Sequence, residues 1–161
     1  MIDALLNKIT EDARFVKNHI VVGRRFLDYK TNKFYSINYG LNCNSTNVVY
    51  LLSCRVYGLY VGSTITSFRL RVKNHKSLIS FHSKASDSDK DKDDLIYKHF
   101  CSEGHHGVSD IEVMLIDRVF GEERLRDKEG QWAYRLRAVA PNRLNSNDFF
   151  YSQNRRSRAR N

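Results

Sequence analysis

Val48-Val49-Tyr50-Leu51-Leu52-Ser53-Cys54, Arg55-Val56-Tyr57-Gly58 and Leu59-Tyr60-Val61-Gly62-Ser63 make up the stretch whose reading decides the fold. Its two apolar, β-branched and aromatic runs have the composition of strands. Gly58 can supply the positive φ of a turn between them, so a tyrosine-rich antiparallel hairpin is predicted. After it, Ser67 caps a predicted helix over 67–81, with Phe68, Val72, His75 and Ile79 at i, i+4, i+7 and i+11 as its inward stripe. Arg71 lies four residues before His75, so both point to one patch. Residues 94–101 read as a short helix, 110–120 as a third strand alternating through Ile111, Val113 and Leu115, and 121–137 as a long helix. Upstream, 34–37 is a short β-like run and 42–47 carries turn chemistry. Leu5, Leu6, Ile9, Ala13 and Val16 predict an opening helix over 2–20. The expected fold class is α+β: a small antiparallel three-stranded sheet flanked by helices, as a single domain with an N-terminal helix and a basic C-terminal tail.

The charge pattern narrows the partners. The chain carries a net +9, although five of its 18 acidic residues sit in one run, Asp87, Asp89, Asp91, Asp93 and Asp94. A positive field of this kind favours polyanions through steering and counterion release. No apolar run approaches the roughly 20 residues of a membrane span, and charges interrupt the first twenty positions where a signal peptide would be apolar. Three cysteines, an odd number, suit a reducing compartment better than a disulfide framework. The protein is expected to be intracellular, and nuclear if the source is eukaryotic. Residues 82–94 are polar, of low complexity and aperiodic, hence a mobile acidic loop that lacks the glycine and terminal glutamate of a calcium-binding loop. Arg155, Arg156, Arg158 and Arg160 give the tail four arginines in six residues, expected to order on phosphate or to serve as a localisation signal.

Two residues interrupt apolar stripes. Leu125, Glu129, Trp132 and Leu136 fall at helical spacing, which puts a carboxylate on the inward face of its helix, where burial without a partner is costly. The bland reading is a stripe-edge glutamate paired with an arginine; the functional one is a metal ligand at the floor of a cleft. His75 interrupts the other stripe, either as a satisfied core histidine or as part of a site. Cys54, His99, Cys101 and His105, with Cys43 or His106 in reserve, offer ligand types for tetrahedral zinc. No Cys-x-x-Cys spacing supports them, and buried thiols with surface histidines would look the same.

Taken in order, Tyr50, Tyr60, Arg71, His75, Glu129 and Asn145 resemble the GIY-YIG nuclease superfamily. Val48-Val49-Tyr50 stands at its first signature and Tyr60-Val61-Gly62-Ser63-Thr64 at its second. Arg71 and His75 match the following helix, and Glu129-Gly130-Gln131-Trp132 through Pro141 to Leu144-Asn145 match the closing pattern. A narrower resemblance, to the endonuclease domain of Penelope-like retroelements, rests on Tyr35-Ser36-Ile37, Cys43-Asn44-Ser45, the run from Asn47 to Cys54, His99-Phe100 and His105. The departures are a first signature without glycine, Ala138 and Arg143 where threonine and glycine are usual, and Tyr57 where related domains often carry a second cysteine.

The resemblance implies a nuclease domain over 31–150, between an N-terminal helical extension (1–30) and the arginine-rich tail (151–161). It implies a DNA endonuclease that uses Mg²⁺, or Mn²⁺, and nicks target DNA for element mobility. Glu129 would bind the metal, which needs only one or two carboxylates. Arg71 would stabilise phosphate charge through its forked donors, Asn145 would position the glutamate or the phosphate, and His75 would assist proton transfer. Tyr50 and Tyr60 would contact water or phosphate, and a general-base role for Tyr50 needs a pKa below the ordinary value of about 10. Lys73 and Lys76 on the first long helix, with the tail arginines, are expected to hold DNA. The likeness pairs His99 and His105 with cysteines near the hairpin, and a reverse transcriptase domain is the expected partner in a longer parent, of which this chain would be a fragment or a domesticated copy. The competing reading is a catalytically inactive, zinc-stabilised nucleic-acid-binding module.

Overall fold

The computed structural model describes residues 14–16, 20–22, 25–28, 32–37, 39–54, 58–84, 95–138 and 145. Its elements in chain order are β1 (Arg14–Val16), β2 (Ile20–Val22), β3 (Arg25–Asp28), β4 (Lys33–Ser36), β5 (Val48–Cys54), β6 (Leu59–Thr64), α1 (Phe68–Lys84), α2 (Leu95–Phe100), β7 (Ile111–Arg118) and α3 (Leu125–Arg135). Single 3₁₀ turns at Gly107–Asp110 and Glu122–Arg124 lead into β7 and α3.

The predicted hairpin is present. β5 and β6 pair antiparallel with Tyr50 opposite Gly62 and Leu52 opposite Tyr60, and Gly58 takes a φ of 127° at the turn. β7 pairs antiparallel with the other side of β5, Tyr50 opposite Leu115, with the register shifting between Val49 and Tyr50. The expected α+β unit, an antiparallel trio flanked by helices, thus stands as β7-β5-β6. Two further strands extend it into a five-stranded sheet of order β1-β2-β7-β5-β6, with β2 parallel to β7.

This extension corrects the opening helix predicted over 2–20, because 14–16 and 20 lie in strands. Ile20-Val21-Val22 is β-branched throughout and finds an open edge on β7, so pairing overrides an apolar spacing that also fits a helix. Residues 2–13 and 17–19 of that prediction lie outside the described ones. α1 also runs farther than expected, through Lys84, so 82–84 are helical rather than loop. The rest of the expected acidic loop, 85–94, and the tail lie outside the described residues.

β5 is buried on both faces, and its alternation feeds two cores. Tyr50, Leu52 and Cys54 pack with Phe68, Val72 and Ile79 of α1 and with Ile96, Tyr97 and Phe100 of α2. Val49 and Leu51 pack with Leu125, Trp132 and Ala133 of α3 and with Phe26. The β3–β4 hairpin closes this second core: Phe26 and Tyr35 stack at 5.3 Å between ring centroids, and Tyr35 meets Trp132 edge-on at 5.2 Å. α3 is tied to the sheet where the Trp132 indole N–H donates to Asp117 Oδ2 at 2.8 Å, with Lys128 Nζ 3.6 Å from the same oxygen. Both inward stripes predicted from sequence are buried, His75 and Glu129 included.

Candidate active site and metal cluster

β6 is an edge strand, and its side chains alternate between the two cores. Tyr60 packs against the α1 side and Val61 belongs to the α3 side, which places Ser63 on the α3 side as well. The candidate site straddles this strand.

On the α1 side, Arg71 Nε donates to the Tyr50 hydroxyl at 2.9 Å, and that hydroxyl lies 2.7 Å from His75 Nε2. A guanidinium can only donate, so the Tyr50 oxygen accepts from Arg71, and the direction of its bond to His75 follows the tautomer of the imidazole. The environment keeps the imidazole neutral: burial, reinforced by the Arg71 charge, pushes His75 down to about 3. Its Nδ1 has no hydrogen-bond partner among the described residues. Burial pushes Tyr50 up to about 12, outweighing the charge and hydrogen bond of Arg71, with the Glu129 charge acting in the same direction as burial. Arg71 by itself therefore does not bring Tyr50 to the lowered pKa that a general-base role demands. Its ring is fully buried, so the hydroxyl acts on its surroundings through Arg71.

Gly62 makes this packing possible. A Cβ there would sit 2.6 Å from Cζ and the hydroxyl oxygen of Tyr50 and 2.6 Å from Cε1 of Tyr60. The glycine of the second signature is thus required sterically, to let two tyrosines meet under the strand.

On the α3 side, Ser63 Oγ donates to Glu129 Oε2. Burial raises the Glu129 carboxyl above its usual range, while the Ser63 hydrogen bond and the charges of Arg126 and Arg71 pull it back. Arg71 therefore touches Tyr50 on one side of β6 and acts on Glu129 from the other. Asn145 holds the strand: its Oδ1 accepts from Val61 N–H at 2.9 Å, and its Nδ2 donates to the Val61 carbonyl at 2.7 Å. Its amide imitates a neighbouring strand at the one residue between Tyr60 and Gly62. Tyr60 is half-buried and Lys73 is exposed. Lys76 is partly covered, and burial lowers its pKa. Arg155, Arg156 and Arg158 lie outside the described residues.

Four residues beyond Tyr50 on β5, Cys54 meets His99 and His105, with the ligand atoms of all three within 4.8 Å of one another. The two imidazoles lie 4.3 Å apart, centroid to centroid. The hydrogen bonds around His105 fix its tautomer. Ser102 Oγ spends its proton on the His99 carbonyl at 2.7 Å, so His105 Nδ1–H donates to Ser102 Oγ at 3.1 Å. His105 Nε2 then carries a lone pair in a buried position with no hydrogen-bond partner. A thiol and two imidazoles placed in this way are a donor set that suits a metal ion. Cys101, expected as a fourth ligand, stands outside the three, with its Sγ donating to the Ile79 carbonyl at 3.7 Å. Of the reserves, His106 is exposed and faces Asp110, Nδ1 to Oδ1 3.6 Å.

Sequence reasoning missed Ser63 and Asp117, the residues that orient Glu129 and its helix. Strand alternation carried a signal for Ser63, a hydroxyl two positions from Val61 on a face that packs against the helix bearing Glu129.

Residues 46–119, a little under half of the chain, match the family model of the GIY-YIG catalytic domain. It covers β5, β6, α1, α2 and β7, with Tyr50, Tyr60, Arg71 and His75 inside it and Glu129 and Asn145 beyond its end. No curated protein and no solved structure matches the chain.

Proposed function

We propose that this chain is a divalent-metal-dependent DNA endonuclease whose site is Arg71, Tyr60 and Glu129, supported by Tyr50, His75, Ser63 and Asn145. One observation carries the reading: α1 and α3 bring a guanidinium and a buried carboxylate together across the edge strand that bears Gly62. GIY-YIG nucleases depend on a divalent metal, and Glu129 fits one, because a carboxylate disfavoured by burial regains its charged form beside a cation. Bound there, Mg²⁺ or Mn²⁺ would polarise the scissile phosphate and relieve its developing charge.

The chain's own residues supply the rest. In hydrolysis, a water oxygen bonds to phosphorus, one phosphorus–sugar oxygen bond breaks, and the proton lost by water balances the one gained by the leaving oxygen. Arg71 stabilises the added negative charge, held in place by Tyr50, whose hydroxyl is itself fixed by neutral His75. Tyr60, less deeply buried than Tyr50, is the tyrosine that contacts water or phosphate. Asn145 keeps the Tyr60-Val61-Gly62 backbone in register.

The finer reading is an endonuclease of the Penelope-like retroelement kind, nicking target DNA for insertion. It is supported by the Cys54, His99 and His105 cluster, built from positions that the narrower resemblance singles out, and zinc there would brace β5 against α2 and the turn after it. The test is nicking of supercoiled plasmid with Mg²⁺, Mn²⁺ or EDTA. Metal-dependent nicking that disappears in Glu129→Ala and Arg71→Ala is the expected result. DNA binding without nicking in the parent would leave the inactive binding module.

A further inference from the structure

At the end of the sheet beyond the candidate site, Tyr39 and Phe120 form an edge-on pair at 6.1 Å, and the Arg118 guanidinium lies 5.5 Å from the Phe120 ring centroid. Both rings are exposed, Phe120 at 72% and Tyr39 at 40%. A phenylalanine that open contributes little to stability, whereas its backbone is well held: Val119 N–H donates to the Asn47 carbonyl at 2.9 Å and Val119 is buried. The register gives its location. Arg118 stands opposite Val48, and Val48 opposite Thr64, the residue after Ser63. Strand spacing and rise then put Phe120 on the order of 15 Å from Ser63.

We propose that Tyr39, Phe120 and Arg118 form a stacking platform for an unstacked base of the DNA strand lying in the candidate site. Two touching aromatics with a guanidinium match what a base needs: a π-surface for its face and a cation for the adjoining phosphate. The exposed apolar row on α1, Leu70, Leu78 and Phe81, is largely aliphatic. A chain of net charge +9 supplies the matching field. The proposal rests on the reading of the protein as a DNA nuclease and deepens it: the enzyme would favour sites where a base is unpaired or easily displaced.

The experiment uses the full chain in EDTA, so that binding is read without cleavage. The probes are a fully paired oligonucleotide duplex and the same duplex with an unpaired 2-aminopurine, whose fluorescence falls when it stacks on an aromatic ring. The parent should prefer the unpaired probe and quench it. Phe120→Ala should lower that preference about tenfold and lose the quench, with an unchanged melting temperature, while Phe120→Trp restores both. Equal preference and quench in Phe120→Ala and the parent would overturn the platform, as would a loss shared equally by both probes. Plasmid nicking by the parent, scored separately with Mg²⁺, distinguishes the two readings: a parent that nicks while Phe120→Ala stacks normally keeps the nuclease and loses the platform. A parent that does not nick while Phe120→Ala loses the quench keeps the platform and loses the nuclease.

Discussion

The two ends of β5 treat polar atoms in opposite ways. At Tyr50 the chain links its own groups: a guanidinium donates to a hydroxyl that is hydrogen-bonded to a neutral imidazole, and only the far Nδ1 of that imidazole lacks a partner among the described residues. At Cys54, four residues on, the orientation is as specific but the linkage is open, with His105 held by Ser102 and its Nε2 aimed at nothing the described residues provide. The first linkage positions Arg71. The second leaves a thiol and two imidazoles with their ligand atoms within 4.8 Å of one another, an arrangement that suits a metal ion. The same strand thus carries one site whose groups bond one another and one whose groups are gathered without doing so.

The sharpest way to break the contrast is at the residues that face the substrate. Glu129→Ala or Arg71→Ala should lower plasmid nicking by about a thousandfold, since each removes charge stabilisation that water cannot replace; a loss below tenfold in gel-based rates would contradict their placement. The next effect belongs to the open end. If zinc completes it, a chelator or Cys54→Ser should lower the melting temperature by about 10 °C, as expected when a ligand held at about a thousand times its Kd is withdrawn. An unchanged calorimetric transition would show that the end is closed by protein alone.

Within the closed end, Gly62→Ala should destabilise by about 1–3 kcal/mol, because a Cβ would overlap two tyrosine rings. Chemical denaturation should report this together with a fall in nicking as Arg71 shifts. Tyr50→Phe keeps the ring and removes the link, leaving half-buried Arg71 and buried His75 without it at about 1–3 kcal/mol. The smallest effect is on pH. His75 folded titrates near 3 against an ordinary value of 6.5, so between those values the unfolded chain binds more protons and stability should fall as pH is lowered. In acid denaturation His75→Gln should flatten that slope; an identical slope would mean that other groups set it.

Much of this was legible in the sequence because it follows from local periodicity. The stripe at Phe68, Val72, His75 and Ile79, the intrusion of Glu129 into its own stripe and the hairpin at Gly58 each repeat at the spacing of one element. What was not legible depends on partners distant in sequence. Ile20-Val21-Val22 becomes a strand through an edge offered by β7, more than ninety residues away in the chain. Asn145 was singled out, yet its attachment to the Val61 backbone is a contact across 84 positions. The choice of Cys54 over Cys101 depends on where α2 and its following turn place two histidines. The burial that drives Tyr50 upward arises from the whole core, and the neighbouring arginine alone suggested the opposite sign.

The most direct test of the central claim is single-turnover nicking as a function of Mg²⁺ concentration in the parent and in Glu129→Gln, whose amide oxygen can still accept from Ser63 while the negative charge is gone. The account predicts that Glu129→Gln stays folded, with a parent-like melting curve, and fails to nick at any Mg²⁺ concentration. Nicking by Glu129→Gln at the parent's rate and the parent's Mg²⁺ midpoint would contradict it, because the ion would then be held without the carboxylate on which the site is built.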